Sequence, residues 1–240
     1  MKSFAGLRAV VTGASSGIGA RIALDLAAAG ADVAGLARRP SQGVASVQCD
    51  VSDTDAYRAA LAQLEPVDVL VQAAGTEERA SALDGDLHVY RRIFETNFFA
   101  AVTGTLAVVP GMVARGHGVV VNVSSDSGRA PTAGTPAYAA SKAALSAFTE
   151  SVAHEVRRRG VHVHVLYPGW VPTAMGQGAV DDGMASPPKA ARRTVEQVSR
   201  LTLARMGGPA IDINAARVAV LAPVVRSLSP RLYRRMIGKR

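Results

Sequence analysis

The stretch TGASSGIG, residues 12–19, decides the fold prediction for this chain. It follows RAVV (8–11), a β-branched run typical of a buried strand, and it leads into residues with helical spacing. The glycines at Gly13, Gly17 and Gly19 would let the backbone approach a pyrophosphate, and the N–H groups at the helix N-terminus would bind it. The stretch therefore predicts a strand–turn–helix unit that binds a dinucleotide.

Strands and helices alternate along most of the chain. Besides RAVV, short apolar runs typical of strands occur at 31–37, 44–50, 67–75, 118–125 and 161–169. Segments with helical spacing separate several of these runs, and two of them are long, at about 87–114 and 138–159. Near-continuous apolar strands between helices are typical of a parallel sheet that is covered on both faces. The pattern predicts an α/β fold: a single Rossmann-like domain with a doubly wound parallel sheet of about seven strands flanked by helices.

The sequence contains no repeat and no linker, so we assign one domain to residues 1–240. A substrate loop is expected at about 174–208; its first part, AMGQGAVDDGMASPPKAARR (174–193), reads as a loop, and TVEQVSRLTLARM as a helix. A last short strand is expected in AIDIN, and a helical tail at about 215–240, broken near Pro223 and Pro230. In this tail we expect the apolar residues to face inward and the arginines outward; those apolar residues are Val218, Leu221, Val225 and Leu228.

Charge and composition restrict the function classes. The net charge is +8, and the arginines gather late in the chain without the interleaved aromatic residues that stack on bases. We therefore predict no nucleic-acid partner; a solvated basic surface is the first interpretation, and an anionic substrate or a membrane surface is the alternative. Cys49 is the only cysteine, and we expect no apolar stretch of the length of a signal peptide or a bilayer span. We expect a cytoplasmic protein without a transmembrane segment.

A second motif is YAASK, residues 138–142. Tyr138 and Lys142 are four residues apart and so adjoin on one helical face, where the ammonium would lower the pKa of the phenol. Together, T-G-x-x-x-G-I-G and YAASK resemble the short-chain dehydrogenase/reductase family, over about residues 5–175. The resemblance implies that Tyr138 exchanges a proton with the substrate.

The same resemblance implies two further catalytic residues. A serine is expected thirteen residues before the tyrosine, which selects Ser125, with Ser124 as the alternative. Its hydroxyl would hydrogen-bond the substrate oxygen. Asn97, in the helix before that strand, would hold a water that relays protons to Lys142. The predicted catalytic set is Asn97, Ser125, Tyr138 and Lys142.

The resemblance also implies which residues contact the cofactor, NADP(H). One departure concerns VQAAG: Gln72 and Ala73 stand where the family usually has asparagines. His162 and His164 share a strand face, but we find no third ligand and predict no metal site. The predicted cofactor-binding residues are Gly13, Ser15, Ser16, Gly17, Ile18, Gly19, Arg38, Arg39, Asp50, Val51, Ala74, Gly75, Tyr138, Lys142, Pro168, Gly169, Val171 and Thr173.

The resulting hypothesis is an NADP(H)-dependent oxidoreductase that transfers a hydride between nicotinamide and a secondary alcohol or ketone. The substrate is expected to be a lipophilic, acyl or secondary-metabolite carbonyl. The alternative is a dinucleotide-binding sensor or scaffold without turnover. We also expect a homodimer or homotetramer, because the two long helices carry apolar residues on more than one face, namely Phe98, Phe99, Val102, Leu145 and Phe148.

The first prediction concerns cofactor preference. Proteins that prefer NAD place an acidic residue at the end of the second strand, but here that strand ends at Ala37 and continues into Arg38 and Arg39. Asp32, the nearest acid, lies at the opening end of the strand. An arginine would instead bind a 2′-phosphate with a forked contact, and Arg38 is the first candidate, with Arg39 the second. The alternative interpretation is that these arginines belong to a solvated basic loop.

Exchanging these residues should therefore reverse the preference. The double change Ala37→Asp, Arg38→Ala should weaken use of NADP(H) and improve use of NAD(H), moving the ratio of kcat/KM values by roughly ten- to a hundredfold. The measurement is steady-state kinetics with each cofactor. An unchanged ratio would mean that the 2′-phosphate is recognised elsewhere or not at all.

Overall fold

A computed structural model describes residues 3–78, 82–83, 85–131, 133–181, 189–216 and 220–237. Its strands form one sheet in the order β3-β2-β1-β4-β5-β6-β7, and every neighbouring pair is parallel. This confirms the predicted α/β class and the seven-stranded parallel sheet. The strands are β1 (Arg8–Thr12), β2 (Asp32–Ala37), β3 (Ala45–Gln48), β4 (Val69–Gln72), β5 (Gly118–Val123), β6 (Val161–Tyr167) and β7 (Asp212–Asn214).

Helices cover both faces of this sheet. Neighbouring residues of β1 point to opposite faces, so Val11 packs with α1 and α8 while Val10 packs with the cluster of α2, α4 and α6. The helices are α1 (Gly17–Ala28), α2 (Thr54–Gln63), α3 (Leu87–Phe94), α4 (Ala100–Arg115), α5 (Asp126–Arg129), α6 (Pro136–Val156), α7 (Ala174–Asp181), α8 (Val195–Arg205), α9 (Leu221–Leu228) and α10 (Pro230–Ile237).

The predicted helix at 87–114 is one continuous run in which a π-helical segment, Glu95–Phe99, joins α3 to α4. The run Leu87–Arg115 is long and apolar enough to cross a membrane by length and composition, so the expectation that no stretch reaches that length is wrong. The run is mostly Ala, Val, Leu and Phe after Ile93, which raises its hydropathy. Here it packs against α2, β4 and β5, as a core helix of a parallel sheet does.

The segment at 174–193, predicted to be a loop, begins with a helix instead. Thr173 caps α7: its hydroxyl accepts from the Gly176 N–H at 3.2 Å, and its carbonyl accepts from the Gln177 N–H at 2.8 Å. Ala, Met and Gln are good helix formers, and the prolines that suggested a loop lie beyond the end of α7. The later helix is confirmed as α8 and the last strand as β7.

The tail also differs from its prediction. Pro223 lies in the first turn of α9 and does not break it, because a proline there lacks only an N–H that the helix would not use. Pro230 begins α10, as predicted for a break. Leu221 and Leu228 are exposed rather than inward, and Val218 lies outside the described residues.

The turn between β1 and α1 requires glycine. Gly13 has φ +68°, and a Cβ there would lie 2.8 Å from the backbone nitrogen of Ala74. A Cβ at Gly19 would lie 2.5 Å from the Gly13 carbonyl oxygen. A side chain is therefore excluded at both positions. At Gly13 this lets the turn and the segment after β4 approach each other backbone to backbone.

Gln72, in a place where the family usually has asparagine, connects β4 to its surroundings. Its Oε1 accepts from the Tyr57 hydroxyl at 3.0 Å, and its Nε2 lies 2.9 Å from Ala101 O and 2.9 Å from Asn122 Oδ1. All of these groups are buried, so the longer side chain satisfies polar atoms of α2, α4 and β5 at once.

We predict that Gln72→Leu destabilises the protein by about 2–4 kcal/mol. The change leaves the Tyr57 hydroxyl and Asn122 Oδ1 without the buried partner that Gln72 provides, and each such orphaned group costs about 1–3 kcal/mol. Urea unfolding measures the loss. The matched control is Gln63→Leu, at an exposed position in the last turn of α2. Equal stability of the two variants would contradict the prediction.

Candidate active site

A cleft of about 850 Å³ opens at the carboxyl ends of the strands. It lies where the strand order reverses, because β1 runs on to β2 and β3 on one side while β4 leads to β5, β6 and β7 on the other. Open parallel sheets bind their ligands at such a switch point. The walls come from the β1–α1 turn, the ends of β2 to β5, the helix α6 and the segment after β6.

The glycine turn forms one end of the cleft, with Ser15, Ser16, Gly17 and Ile18 along its wall. Ser16 is the N-cap of α1, but its side chain makes no capping hydrogen bond. The first N–H groups of a twelve-residue helix therefore meet the cleft together with the positive end of its dipole. This arrangement is suited to a phosphate group.

The end of β2 supplies positive charge beside this turn. Arg38 and Arg39 follow Ala37 and line the cleft opposite Asp50 and Val51. Although burial opposes its ionisation, hydrogen bonds from Ser52 and the charge of Arg38 hold the pKa of Asp50 below its ordinary value. The carboxylate at this end is therefore charged at neutral pH.

Tyr138 and Lys142 lie on α6 in the floor of the cleft, and both are buried. The Lys142 Nζ donates to the Val123 carbonyl at 2.9 Å and lies 5.8 Å from the centre of the Tyr138 ring. Burial lowers the pKa of Lys142 from 10.5 to about 8, against the opposing effect of Glu77.

The expectation that Lys142 lowers the pKa of Tyr138 is wrong in this structure. Burial raises the pKa of Tyr138 well above its ordinary value, and the Glu77 and Asp126 carboxylates raise it further, while the neighbouring Ser125 side chain opposes them. The ammonium is directed to a backbone carbonyl of β5 rather than to the phenol oxygen. Tyr138 is therefore a neutral phenol at physiological pH.

The two candidate serines have different partners. Ser124 lines the cleft, but its hydroxyl contacts Lys142 O at 3.0 Å and Ser146 Oγ at 2.8 Å, so it is held in the packing of α6. Ser125 caps α5 by accepting from the Ser127 N–H at 3.2 Å, and it lies close enough to Tyr138 to lower the pKa of that phenol. Between the two alternatives, the structure brings Ser125 to the phenol.

Asn97 is buried in the π-helical segment, with its amide fully engaged by neighbouring residues. Its Oδ1 accepts from the Thr76 N–H at 2.8 Å, and its Nδ2 donates to Thr76 O at 2.9 Å and to Ser141 Oγ at 3.1 Å. A Cβ on Gly75 would lie 3.3 Å from Asn97 Oδ1 and 3.5 Å from Lys142 Nζ. The asparagine thus fixes the segment after β4 beside the lysine.

Glu77 is a further charged residue near the site that the motifs did not indicate. Its carboxylate raises the pKa values of both Tyr138 and Lys142, so it lies near this pair. The only signal in the sequence is its position two residues after the AAG (73–75) that follows β4, where a carboxylate is not part of the motif.

All but two of the predicted cofactor-binding residues line the cleft. Val171 packs its side chain in the core instead, and Gly169 makes a bend with φ +73° whose Cβ position is filled by Ala216. His162 and His164 stack on one strand face, and their Nδ1 atoms contact Gly208 O and Ala210 O. Among the described residues, no group of three or more potential metal ligands occurs.

A family model described as short chain dehydrogenase matches residues 8–183 of the chain. The chain belongs to this family. The match covers β1 through α7, and so it includes the glycine turn, Ser125 and the Tyr138–Lys142 pair.

Two named relatives illustrate the similarity. Dehydrogenase/reductase SDR family member 7B of Danio rerio is 38% identical over 194 residues, which cover 71% of this chain and 63% of that protein. L-xylulose reductase of Bos taurus is 36% identical over 188 residues, covering 74% of this chain and 77% of the relative. The match therefore spans less than two thirds of the zebrafish protein.

Solved structures in the family share the fold over nearly their whole length. A short chain dehydrogenase/reductase family protein superposes with a TM-score of 0.80 and 31% identity, covering 90% of this chain and 98% of that one. A putative NAD(P) dependent gluconate 5-dehydrogenase from Beutenbergia cavernae was solved with NADP at low occupancy. It superposes with a TM-score of 0.79 and 32% identity, covering 90% of this chain and 98% of that one.

The buried Lys142 makes stability depend on pH. Between about pH 8 and 10.5 the unfolded chain binds more protons at this residue than the folded chain, so the contribution of Lys142 to the free energy of unfolding rises with pH. The stability of the wild type relative to Lys142→Met should increase across that window by at most about 3 kcal/mol.

Urea unfolding of the wild type and of Lys142→Met at a series of pH values from about 7 to 11, which brackets this window, measures the difference in stability. Lys189→Met is the matched control, because Lys189 is exposed and its charge should leave the slope unchanged. If the stability difference between the wild type and Lys142→Met did not change with pH, folding would not lower the pKa of Lys142, and the prediction would be wrong.

Proposed function

We propose that this chain is an NADP(H)-dependent oxidoreductase that interconverts a secondary alcohol and a ketone. The observation that supports this most directly is the grouping of three side chains: the buried Tyr138 phenol, Ser125 near enough to lower its pKa, and the Lys142 ammonium 5.8 Å from the centre of the Tyr138 ring. An acid–base group beside a hydrogen-bond donor is what carbonyl reduction requires.

The residues present fit a dinucleotide. The Gly13 and Gly19 positions admit no Cβ, the α1 N-terminus has no side-chain cap, and Arg38 and Arg39 line the same wall. These groups would hold the pyrophosphate and a 2′-phosphate, and the Beutenbergia cavernae relative solved with NADP supports that choice of cofactor. When bound, NADP(H) supplies or accepts the hydride.

The chain's own residues then handle the proton. The raised pKa of Tyr138 keeps its hydroxyl protonated at neutral pH, so it can donate to a carbonyl oxygen that Ser125 hydrogen-bonds from the other side. Lys142, whose Nζ is 5.8 Å from the centre of the Tyr138 ring, would restore that proton through water. Since the Asn97 amide is engaged with Thr76 and Ser141, a water beside Lys142 would be held by a peptide carbonyl of the π-helical segment.

We propose that the substrate is a lipophilic, acyl or secondary-metabolite carbonyl compound. Met175 and Pro172 line the cleft beyond Thr173 and give that side an apolar character, which supports a lipophilic or acyl carbonyl. The relatives' names also include sugar substrates, such as L-xylulose, so they support a carbonyl without narrowing its class.

We also propose a homo-oligomer in the cytoplasm. Phe99 and Leu106 of the long helix run are exposed, and Phe98 contacts Phe148 of α6 edge to face, so the two helices present a joint apolar surface. Leu145, expected to contribute, is instead buried within the subunit. Pairing of this surface across a two-fold axis supports a dimer or tetramer.

Tyr138→Phe should keep cofactor binding and reduce kcat by at least about a hundredfold, because the ring still packs but donates no proton. Turnover is followed by cofactor absorbance with a panel of ketones and alcohols, and cofactor binding by fluorescence titration. Turnover within a few-fold of the wild type would overturn the proposed function.

Tyr90→Phe is the matched control. Tyr90 packs beside Ala137, the residue before Tyr138, but it does not line the cleft. Its loss of a hydroxyl should leave kcat unchanged. A wild-type chain that binds NADP(H) but turns over no member of the panel would favour the sensor or scaffold alternative.

A further inference from the structure

The two tail helices are attached to the loop that follows Ser125. Arg226 of α9 donates to the Arg129 carbonyl at 2.7 Å, and Tyr233 of α10 donates to the Pro131 carbonyl at 2.9 Å. These contacts fix which side of each helix faces the protein. The opposite side of each helix therefore faces outward.

Apolar residues cover that outward side. Leu221, Val224 and Leu228 recur at i, i+3 and i+7 along α9 and so share one face, and 60% of Leu221 and 81% of Leu228 is exposed. Leu232 of α10 is half exposed. We call Leu221, Val224, Leu228 and Leu232 the outer tail face.

Positive charge surrounds the outer tail face. Tyr233 points inward, so Arg231 and Arg235, two residues before and after it, lie on the far side of α10, and both are exposed. Residues 215–240 contain seven basic residues and no acidic residue. Apolar residues on one face with arginines beside them are typical of a helix that lies in a membrane interface.

The charge decides between the possible occupants. If a second copy covered the face about a two-fold axis, the arginines of both tails would meet without a carboxylate from either. An anionic lipid surface instead complements those arginines while its acyl boundary takes up the leucines.

We propose that the outer tail face binds anionic membrane surfaces, with α9 and α10 lying in the interface plane. α5 begins directly after Ser125, and the tail is attached to the end of α5 and the residues after it. Membrane attachment would therefore bring the substrate side of the cleft towards the lipid. The attachment itself does not require turnover.

The test is co-sedimentation of the full chain with vesicles. Vesicles of phosphatidylcholine with about one quarter phosphatidylglycerol should bind the chain, pure phosphatidylcholine vesicles should not, and binding should weaken as salt is added. Light scattering of the same samples without vesicles gives the assembly state.

Two variants separate the contributions of charge and apolar contact. Arg231→Gln, Arg235→Gln should weaken binding to anionic vesicles by about thirtyfold, since each basic residue contributes about 1 kcal/mol there. Leu221→Ser, Leu228→Ser should weaken it by about tenfold or more, because two apolar side chains no longer enter the interface. Circular dichroism confirms that both fold.

The matched control is Arg157→Gln, Arg158→Gln, which removes the same charge at exposed positions just before the amino end of β6, whereas the tail is attached beyond the carboxyl end of β5. This control should bind vesicles like the wild type. Equal loss in both arginine variants would show attraction by net charge alone, and would overturn the proposal. Equal binding to neutral vesicles, no binding at all, or a fall in assembly mass for the leucine variant would overturn it too.

Discussion

The close approach of two backbone segments at Gly13 is the constraint on which the site depends. The Gly13 N–H donates to Leu36 O at 2.9 Å, and its Cα faces the nitrogen of Ala74, which in turn donates to Thr12 Oγ1 at 3.1 Å. These contacts hold the ends of β1, β2 and β4 together where the strand order reverses. Any side chain at Gly13 would push the segment after β4 outward, away from the lysine on α6.

The segment after β4 connects this close approach to the reactive groups on α6. Gly75 lies between Asn97 and Lys142, and the Asn97 amide clamps Thr76 from both its N–H and its carbonyl. Burial of the ammonium against a single backbone carbonyl is costly, and its lowered pKa reports that cost. A buried group whose pKa is shifted in this way is typical of functional sites.

The sequence sufficed for the architecture and for the general location of the site. Glycine at a strand-to-helix turn and the apolar strands depend on local chemistry, so β1, α1 and the seven-stranded sheet were predictable. The spacing selected Ser125 but left Ser124 as an alternative, and only packing separates the two, because α6 engages the Ser124 hydroxyl. The π-helical segment and the position of Glu77 likewise depend on packing between distant segments, which no spacing reveals.

The tail is the clearest case in which a contact between distant segments could not be predicted from the sequence. Its residues read as amphipathic, but the sequence cannot say which face meets the protein, and Arg226 rather than Leu221 turned out to make that contact.

Arg129 explains why this orientation matters for the site. Its guanidinium lies 3.4 Å from the centre of the Tyr167 ring, and its Nη2 donates to Asp126 Oδ1 at 2.8 Å and to Asn214 Oδ1 at 2.7 Å. The carbonyl of the same residue accepts from the tail. One arginine thus joins β6, β7 and the tail to the short helix that Ser125 caps. A tail held in place therefore also restrains the backbone that positions the Ser125 hydroxyl beside Tyr138, whatever surface holds it.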